Sequence, residues 1–203
     1  IREADHTELM REALAPGMTV VDIGANIGYY TLLAASIVGP TGRVIAVEPD
    51  PRNVRLLERS IALNGYGGIV ELHEMALSDR EGAALFLQAQ ASNLSKVVRT
   101  QASSGAPGEA DEGLMETPVT SLDRLLDGRE AVDLIRMDVE GHEVEVLGGM
   151  TATLERAGAS CKVIFEVHPS TYSSEHDLGP VMRRVFDLGY RVKTLVSAGE
   201  ERP

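Results

Sequence analysis

The stretch TVVDIGANIGYY, residues 19–30, decides the fold. It runs from β-branched apolar residues into Asp22 and then into two glycines, Gly24 and Gly28, separated by Ala25, Asn26 and Ile27. An apolar strand ending in such a turn and continuing as a helix is the opening unit of a nucleotide-binding α/β sheet. A dinucleotide turn reads Gly-x-Gly-x-x-Gly, and its middle glycine lets a pyrophosphate lie against the backbone. Here Asn26 stands at the middle position and Tyr29 at the third. A pyrophosphate would be crowded. A ligand without phosphate suits the pattern better: Gly24 and Gly28 let the chain turn beside a nucleoside, while Asp22 and Asn26 offer polar groups to a charged amino-acid tail. S-adenosylmethionine is such a ligand.

Outward from this turn, apolar runs recur at 43–49, 68–77, 132–138, 162–168 and 190–196. Most are continuous rather than alternating, as buried parallel strands are. Helical stretches lie between them. In DPRNVRLLERSIALNGYG, residues 50–67, Asp50 caps and Pro51 suits the first turn; Val54, Leu57 and Ile61 share a face, and Asn64-Gly65 stops the helix. Further helices are expected at 29–37, 140–156 and 177–188. This rhythm predicts a doubly wound, mostly parallel sheet with ligands at the carboxyl ends of its strands. The second strand ends there in Glu48, followed by Pro49, and Glu48 is expected to accept bonds from the ribose hydroxyls.

A chain of 203 residues, 43% apolar, is sized for one domain over 1–203. Residues 88–113, rich in Ala, Ser, Gly and Gln, interrupt the rhythm as a flexible insertion or a substrate lid. The net charge of -12 argues against nucleic acid as a partner. Cys161 is the only cysteine, which excludes an intrachain disulfide and fits a reducing cytoplasm. No apolar run reaches the roughly 18 residues of a membrane span. The chain opens on Ile1 rather than methionine, so a leader and any address it carried are expected to lie outside this sequence.

The chain resembles the FkbM-type S-adenosylmethionine-dependent methyltransferases. The resemblance rests on VVDIGANIGYYT (20–31), VIAVEPDP (44–51), ALSDREG (76–82), TSLDRLL (120–126), VDLIRMDVEGHEVEVLGGM (132–150) and IFEVHP (164–169). It implies the class I methyltransferase, Rossmann-like sheet, whose last, antiparallel strand is short or missing here. It also implies that Ala76 and Leu77 flank the adenine.

Methyl transfer needs an aligned acceptor and, for a hydroxyl, removal of a proton. RMDVEGHE places Asp138, Glu140, His142 and Glu143 at the tip of the fourth main strand. The next strand ends FEVHP, and the two-residue period puts Glu166 and His168 on one side of it. Asp138, Glu140, His142, Glu166 and His168 therefore form a cluster where the methyl group would point, and Asp138 also borders the cofactor. His168 or His142 is the expected base, with Asp138 and Glu166 orienting it; magnesium held by Asp138 and Glu166 is the competing arrangement. His6, His73 and His176 read as structural.

The expected activity is O-methylation of a hydroxyl on a small molecule, a sugar or a polyketide-like product. Small-molecule N-methylation and a noncatalytic cofactor-fold domain are the alternatives. A nicotinamide-dependent dehydrogenase conflicts with Asn26 and Tyr29.

Overall fold

The computed structural model describes residues 3–88, 96–98, 113–127 and 131–195. In chain order the first elements are α1 (Glu3–Ala13), β1 (Thr19–Ile23), α2 (Tyr29–Val38), β2 (Arg43–Val47), α3 (Pro51–Asn64), β3 (Val70–His73) and β4 (Ala76–Leu77). They are followed by β5 (Gly82–Leu87), β6 (Lys96–Val98), β7 (Leu114–Thr120), α4 (Leu122–Leu126), β8 (Leu134–Met137), α5 (Glu143–Gly148), α6 (Thr151–Ala157), β9 (Lys162–Phe165) and α7 (Leu178–Asp187).

Five strands form a parallel sheet in the order β3-β2-β1-β8-β9. The alternation of side chains along each strand sorts its residues onto two apolar faces. Val20, Val44 and Leu134 meet Met10 of α1 and Ala34 and Val38 of α2, and Ala46 meets Leu57 and Ile61 of α3. Val21, Ile23, Ile135 and Met137 meet Leu122 of α4, Val146 and Leu147 of α5, Leu154 of α6 and Val181 of α7. Both faces are covered, as the continuous apolar runs require. Among the described residues this sheet has no antiparallel strand.

Helix α3 follows its sequence signals: the Asp50 side chain accepts from Arg52 N, Pro51 opens the helix, and Gly65 closes it with φ 72°.

Four expectations need correction. The run 68–77 is two strands, because Glu74 and Met75 break it, and β4 joins a second sheet of order β4-β7-β5-β6. In that sheet β4 runs parallel to β7, while β5 runs antiparallel to both β7 and β6. The helix expected at 140–156 starts only at Glu143 and breaks at Gly148-Gly149. A Cβ on Gly149 would lie 2.0 Å from the Ser78 carbonyl oxygen, so the break is where this chain presses on the end of β4. Residues 190–195 form no strand: Val192 is 63% and Leu195 87% exposed, so neither has the apolar cover of an inner strand; Val196 lies outside the described residues. Of the expected insertion, Lys96–Val98 is a strand paired with β5, and 89–95 and 99–112 lie outside the described residues. Its two ends meet, since Gln88 N donates to Gly113 O at 2.6 Å.

No helix among the described residues is long and apolar enough to cross a membrane. Cys161 is buried, and burial pushes its thiol up to about 11. The thiolate is the reactive form. Iodoacetamide at pH 8 should therefore label the native protein slowly and the urea-unfolded protein fully; rapid native labelling would contradict this burial.

Candidate active site

The turn after β1 is shaped by contacts within the protein. Gly24 has φ 75°, and a Cβ there would lie 1.9 Å from the backbone carbonyl oxygen of Asp138, just beyond β8. Gly28 has φ 97°, and its missing Cβ makes room for Leu57 Cδ1. Between them Ala25 is buried in the α3 contact. Asn26 adopts a left-handed backbone with φ 52°. Its N–H donates to Glu48 Oε2 at 2.8 Å, while its own Oδ1 accepts from Ile27 N.

Glu48 is buried at the tip of β2, and its Oε1 accepts from Asp50 N at 2.9 Å and Asn53 Nδ2 at 3.1 Å. Burial pushes its carboxyl above the usual range despite these bonds. A carboxylate has about four acceptor positions. The described residues fill three, which leaves one open on Oε2. Pro49 follows it half-buried, and Ala76 and Leu77 are buried in β4.

Asp22 does not face outward toward a ligand tail. It is 0% exposed; its Oδ2 accepts from Thr31 Oγ1 at 2.6 Å, and its Oδ1 lies 3.3 Å from Arg136 Nη1. Arg136, on β8 directly opposite Asp22, also donates to Gly24 O at 3.0 Å and Asp138 Oδ2 at 2.9 Å. Its guanidinium carbon stands 4.5 Å from the centre of the Tyr30 ring. One buried arginine thus ties the first turn to the tip of β8. Sequence reasoning passed over it, although an arginine within VDLIRMD is a charge in a buried strand and needs such partners. Asp138 Oδ1 is buried and has no hydrogen-bond partner among the described residues.

Beyond Asp138 the chain makes a left-handed turn, with Glu140 at φ 48° and Gly141 at φ 98°. A helix starting at Glu140 is impossible with those angles. Glu143 consequently opens α5 and turns inward, 0% exposed. Its Oε1 accepts from Gly141 N at 2.9 Å and lies 2.7 Å from His168 Nδ1; its Oε2 accepts from Tyr172 OH at 3.1 Å. His168 Nε2 lies 3.3 Å from Glu140 Oε2. The Glu143 hydrogen bond raises the imidazole to about 9 against the pull of burial, with the charge of Glu140 adding to it. At neutral pH this ring is protonated, so Nε2 has to release its proton before it can accept one or hold a cation. Burial raises Glu140, whereas in Glu143 the bonds from His168 and Gly141 outweigh burial and lower it.

Asp138, Glu140 and His168 bring one donor atom each within 4.8 Å of one another. Glu166 is outside this trio. It follows β9, with its N–H on Met137 O, and its charge and that of Asp138 act on His6 of α1. His6 is buried edge-on to Tyr30, and burial lowers its pKa. His142 belongs to a neighbouring network: Nε2 lies 3.1 Å from Ser78 Oγ and Nδ1 3.4 Å from Glu145 Oε2, which also meets His176 Nε2 at 3.0 Å. His73, at the end of β3, pairs with Glu71. Glu145 and Tyr172 were not anticipated, and Glu143, although placed at the strand tip, was not counted in the cluster. For Glu143 a signal existed, since it shares a helix face with Val146 and Leu147.

The family described as the methyltransferase FkbM domain matches residues 22–192. The hexuronic acid methyltransferase AglP of Haloferax volcanii is 31% identical over 82% of this chain and 62% of its own length. The 2-O-methyltransferase NoeI of Sinorhizobium fredii is 27% identical over 74% of this chain and 65% of its own. The chain thus spans just under two thirds of the length of both relatives. A SAM-dependent methyltransferase from Aquifex aeolicus, 20% identical, superposes with a TM-score of 0.51 over 97% of this chain and 85% of its own, which shows the class I fold. With a match that runs from Asp22 in the first turn to Val192 beyond α7, the chain belongs to the FkbM family of methyltransferases.

Proposed function

We propose that the domain, residues 1–203, transfers a methyl group from S-adenosylmethionine to a hydroxyl group of a small molecule, a sugar or a polyketide-like compound. The observation that carries this reading is the network Glu140–His168–Glu143–Tyr172, placed beside the Gly24 turn by the tips of β8 and β9. The names of AglP and NoeI support a sugar hydroxyl as the acceptor.

The first turn fits a phosphate-free cofactor. The Asn26 N–H, which a dinucleotide turn would leave for pyrophosphate, is already given to Glu48. Glu48 keeps one acceptor position for a ribose hydroxyl, and Gly24, Ala25, Asn26, Gly28, Pro49, Ala76 and Leu77 supply the surrounding wall. When bound, S-adenosylmethionine supplies a methyl carbon on a positive sulfur that departs as a neutral thioether. The chain's part is to align the hydroxyl and take its proton; Asp138, Glu140 and Glu166 can accept it, and His168 can do so once the proton on its own ring has left. His142 is less suited, being buried between Ser78 and Glu145.

Calorimetric titration with S-adenosylmethionine, followed by transfer of labelled methyl to uronic acid and other glycosides, tests the reading. We expect saturable binding, labelled ether, and a fall in kcat of about 100-fold or more in His168→Asn, the scale of a lost acid–base group. Absence of cofactor binding would sink the proposal; turnover unchanged by His168→Asn would remove the cluster from it.

A further inference from the structure

We propose that Asp138, Glu140 and His168 form a binding site for one divalent cation, with Glu143 and Tyr172 as the shell that orients it. The site stands on its own geometry; its use in activating a hydroxyl rests on the methyl-transfer reading above.

Ligands at neighbouring corners of an octahedron of radius about 2.1 Å are about 3 Å apart. His168 Nε2 and Glu140 Oε2 stand 3.3 Å apart, and an atom of Asp138 completes a trio within 4.8 Å. The imidazole is aimed rather than loosely placed. Its Nδ1 is held at 2.7 Å by Glu143, and that carboxylate is fixed in turn by Gly141 N and Tyr172 OH. A ligand histidine characteristically gives its second nitrogen to a carboxylate in this way. Asp138 supplies the independent sign of a missing partner: Oδ2 is taken by Arg136, while Oδ1 is buried and has no hydrogen-bond partner among the described residues. Buried polar atoms without partners are rare in native proteins.

Charge argues the same way. Asp22, Asp138, Glu140, Glu143 and Glu166 gather around Arg136 and His168, leaving an excess of carboxylates that a doubly charged ion offsets. Two oxygens and one imidazole, with further positions left for water or a hydroxyl, suit manganese or magnesium. A hydroxyl on such an ion gives up its proton to solvent more easily. Its oxygen then forms the new bond to the methyl carbon, and the electron pair of the broken carbon–sulfur bond stays on sulfur.

The test uses the whole chain, stripped of metal with EDTA and titrated with Mn2+ while the free-ion paramagnetic resonance signal is followed. One bound ion per chain, displaced by Mg2+, is expected. Glu140→Gln and His168→Asn should abolish this binding, Glu143→Gln should weaken it about 10–100-fold, and Glu58→Gln on the exposed face of α3 should leave it unchanged. In the unsubstituted protein, Mn2+ should broaden the His168 ring resonances first, which keeps the test valid if a variant fails to fold. No bound ion, or equal binding in the Glu140, His168 and Glu58 variants, overturns the site. S-adenosylhomocysteine calorimetry on the same stripped protein separates the two proposals. Cofactor binding without Mn2+ binding defeats the metal site alone, and Mn2+ binding without cofactor binding defeats the methyl-transfer reading alone.

Discussion

Replacing Arg136 with methionine is expected to cost about 3–5 kcal/mol of folding stability, the scale seen when one partner of a buried ion pair is removed. The Asp22 carboxyl would be left in a site with 0% exposure, with only Thr31 Oγ1 among the described residues still bonded to it. The Gly24 carbonyl and Asp138 Oδ2 would each lose a donor as well. Methionine fills most of the volume over Tyr30, so the loss reports charge and hydrogen bonding more than a cavity. Urea unfolding measures it directly. For a chain of this length the melting temperature should fall about 2–4 °C per kcal/mol. Adding Asp22→Asn to the Arg136→Met background should recover part of the loss, because the stranded charge is then gone. An unchanged unfolding midpoint in the single variant would mean that Asp22 and Asp138 do not depend on the guanidinium.

The second large effect is expected at Gly24. Alanine there meets two obstacles: a left-handed backbone, which costs about 1–3 kcal/mol for a residue with a side chain, and a backbone oxygen 1.9 Å from the new carbon. A carbonyl belonging to a strand end cannot rotate aside like a side chain, so overpacking adds about 1–3 kcal/mol more. Gly65 provides the comparison, since it is left-handed at φ 72° but nothing lies within 4 Å of its missing Cβ. Gly65→Ala should show the backbone cost alone. Gly24→Ala should be clearly less stable than Gly65→Ala and should bind S-adenosylmethionine more weakly, because the turn has to move away from Asp138. Equal stability of the two variants in denaturant titration would show that the close contact yields without cost.

Much of this architecture was legible in the chain because its three inner strands, β1, β2 and β8, are buried on both faces. Runs such as VIAV and VDLIRM have to be almost wholly apolar, and that pattern survives without any knowledge of neighbours. The second sheet was not legible. β4 is two residues long, and β5 begins Gly82-Ala83-Ala84, too small to register as an apolar run. The opposite error occurred at 190–196, where Val and Leu read as a strand but two of them stand in solvent. Gly148-Gly149 was a legible helix breaker that the apolar periodicity around it outweighed. Within the site, Asp138, Glu140 and His168 were brought together from their positions at neighbouring strand ends. The direction of Asp22 was not, because whether a carboxylate at a strand tip looks at a ligand or at a buried arginine depends on the residue across the ladder.

Glu140 holds a backbone angle that glycine adopts at almost no cost and that a residue with a side chain resists. A chain carrying glycine at this point would fold with less strain and keep only Glu143 of the two carboxylates paired with His168. On the proposed reading, stability and chemistry therefore compete at a single codon, the kind of trade-off found where function has been favoured over firmness.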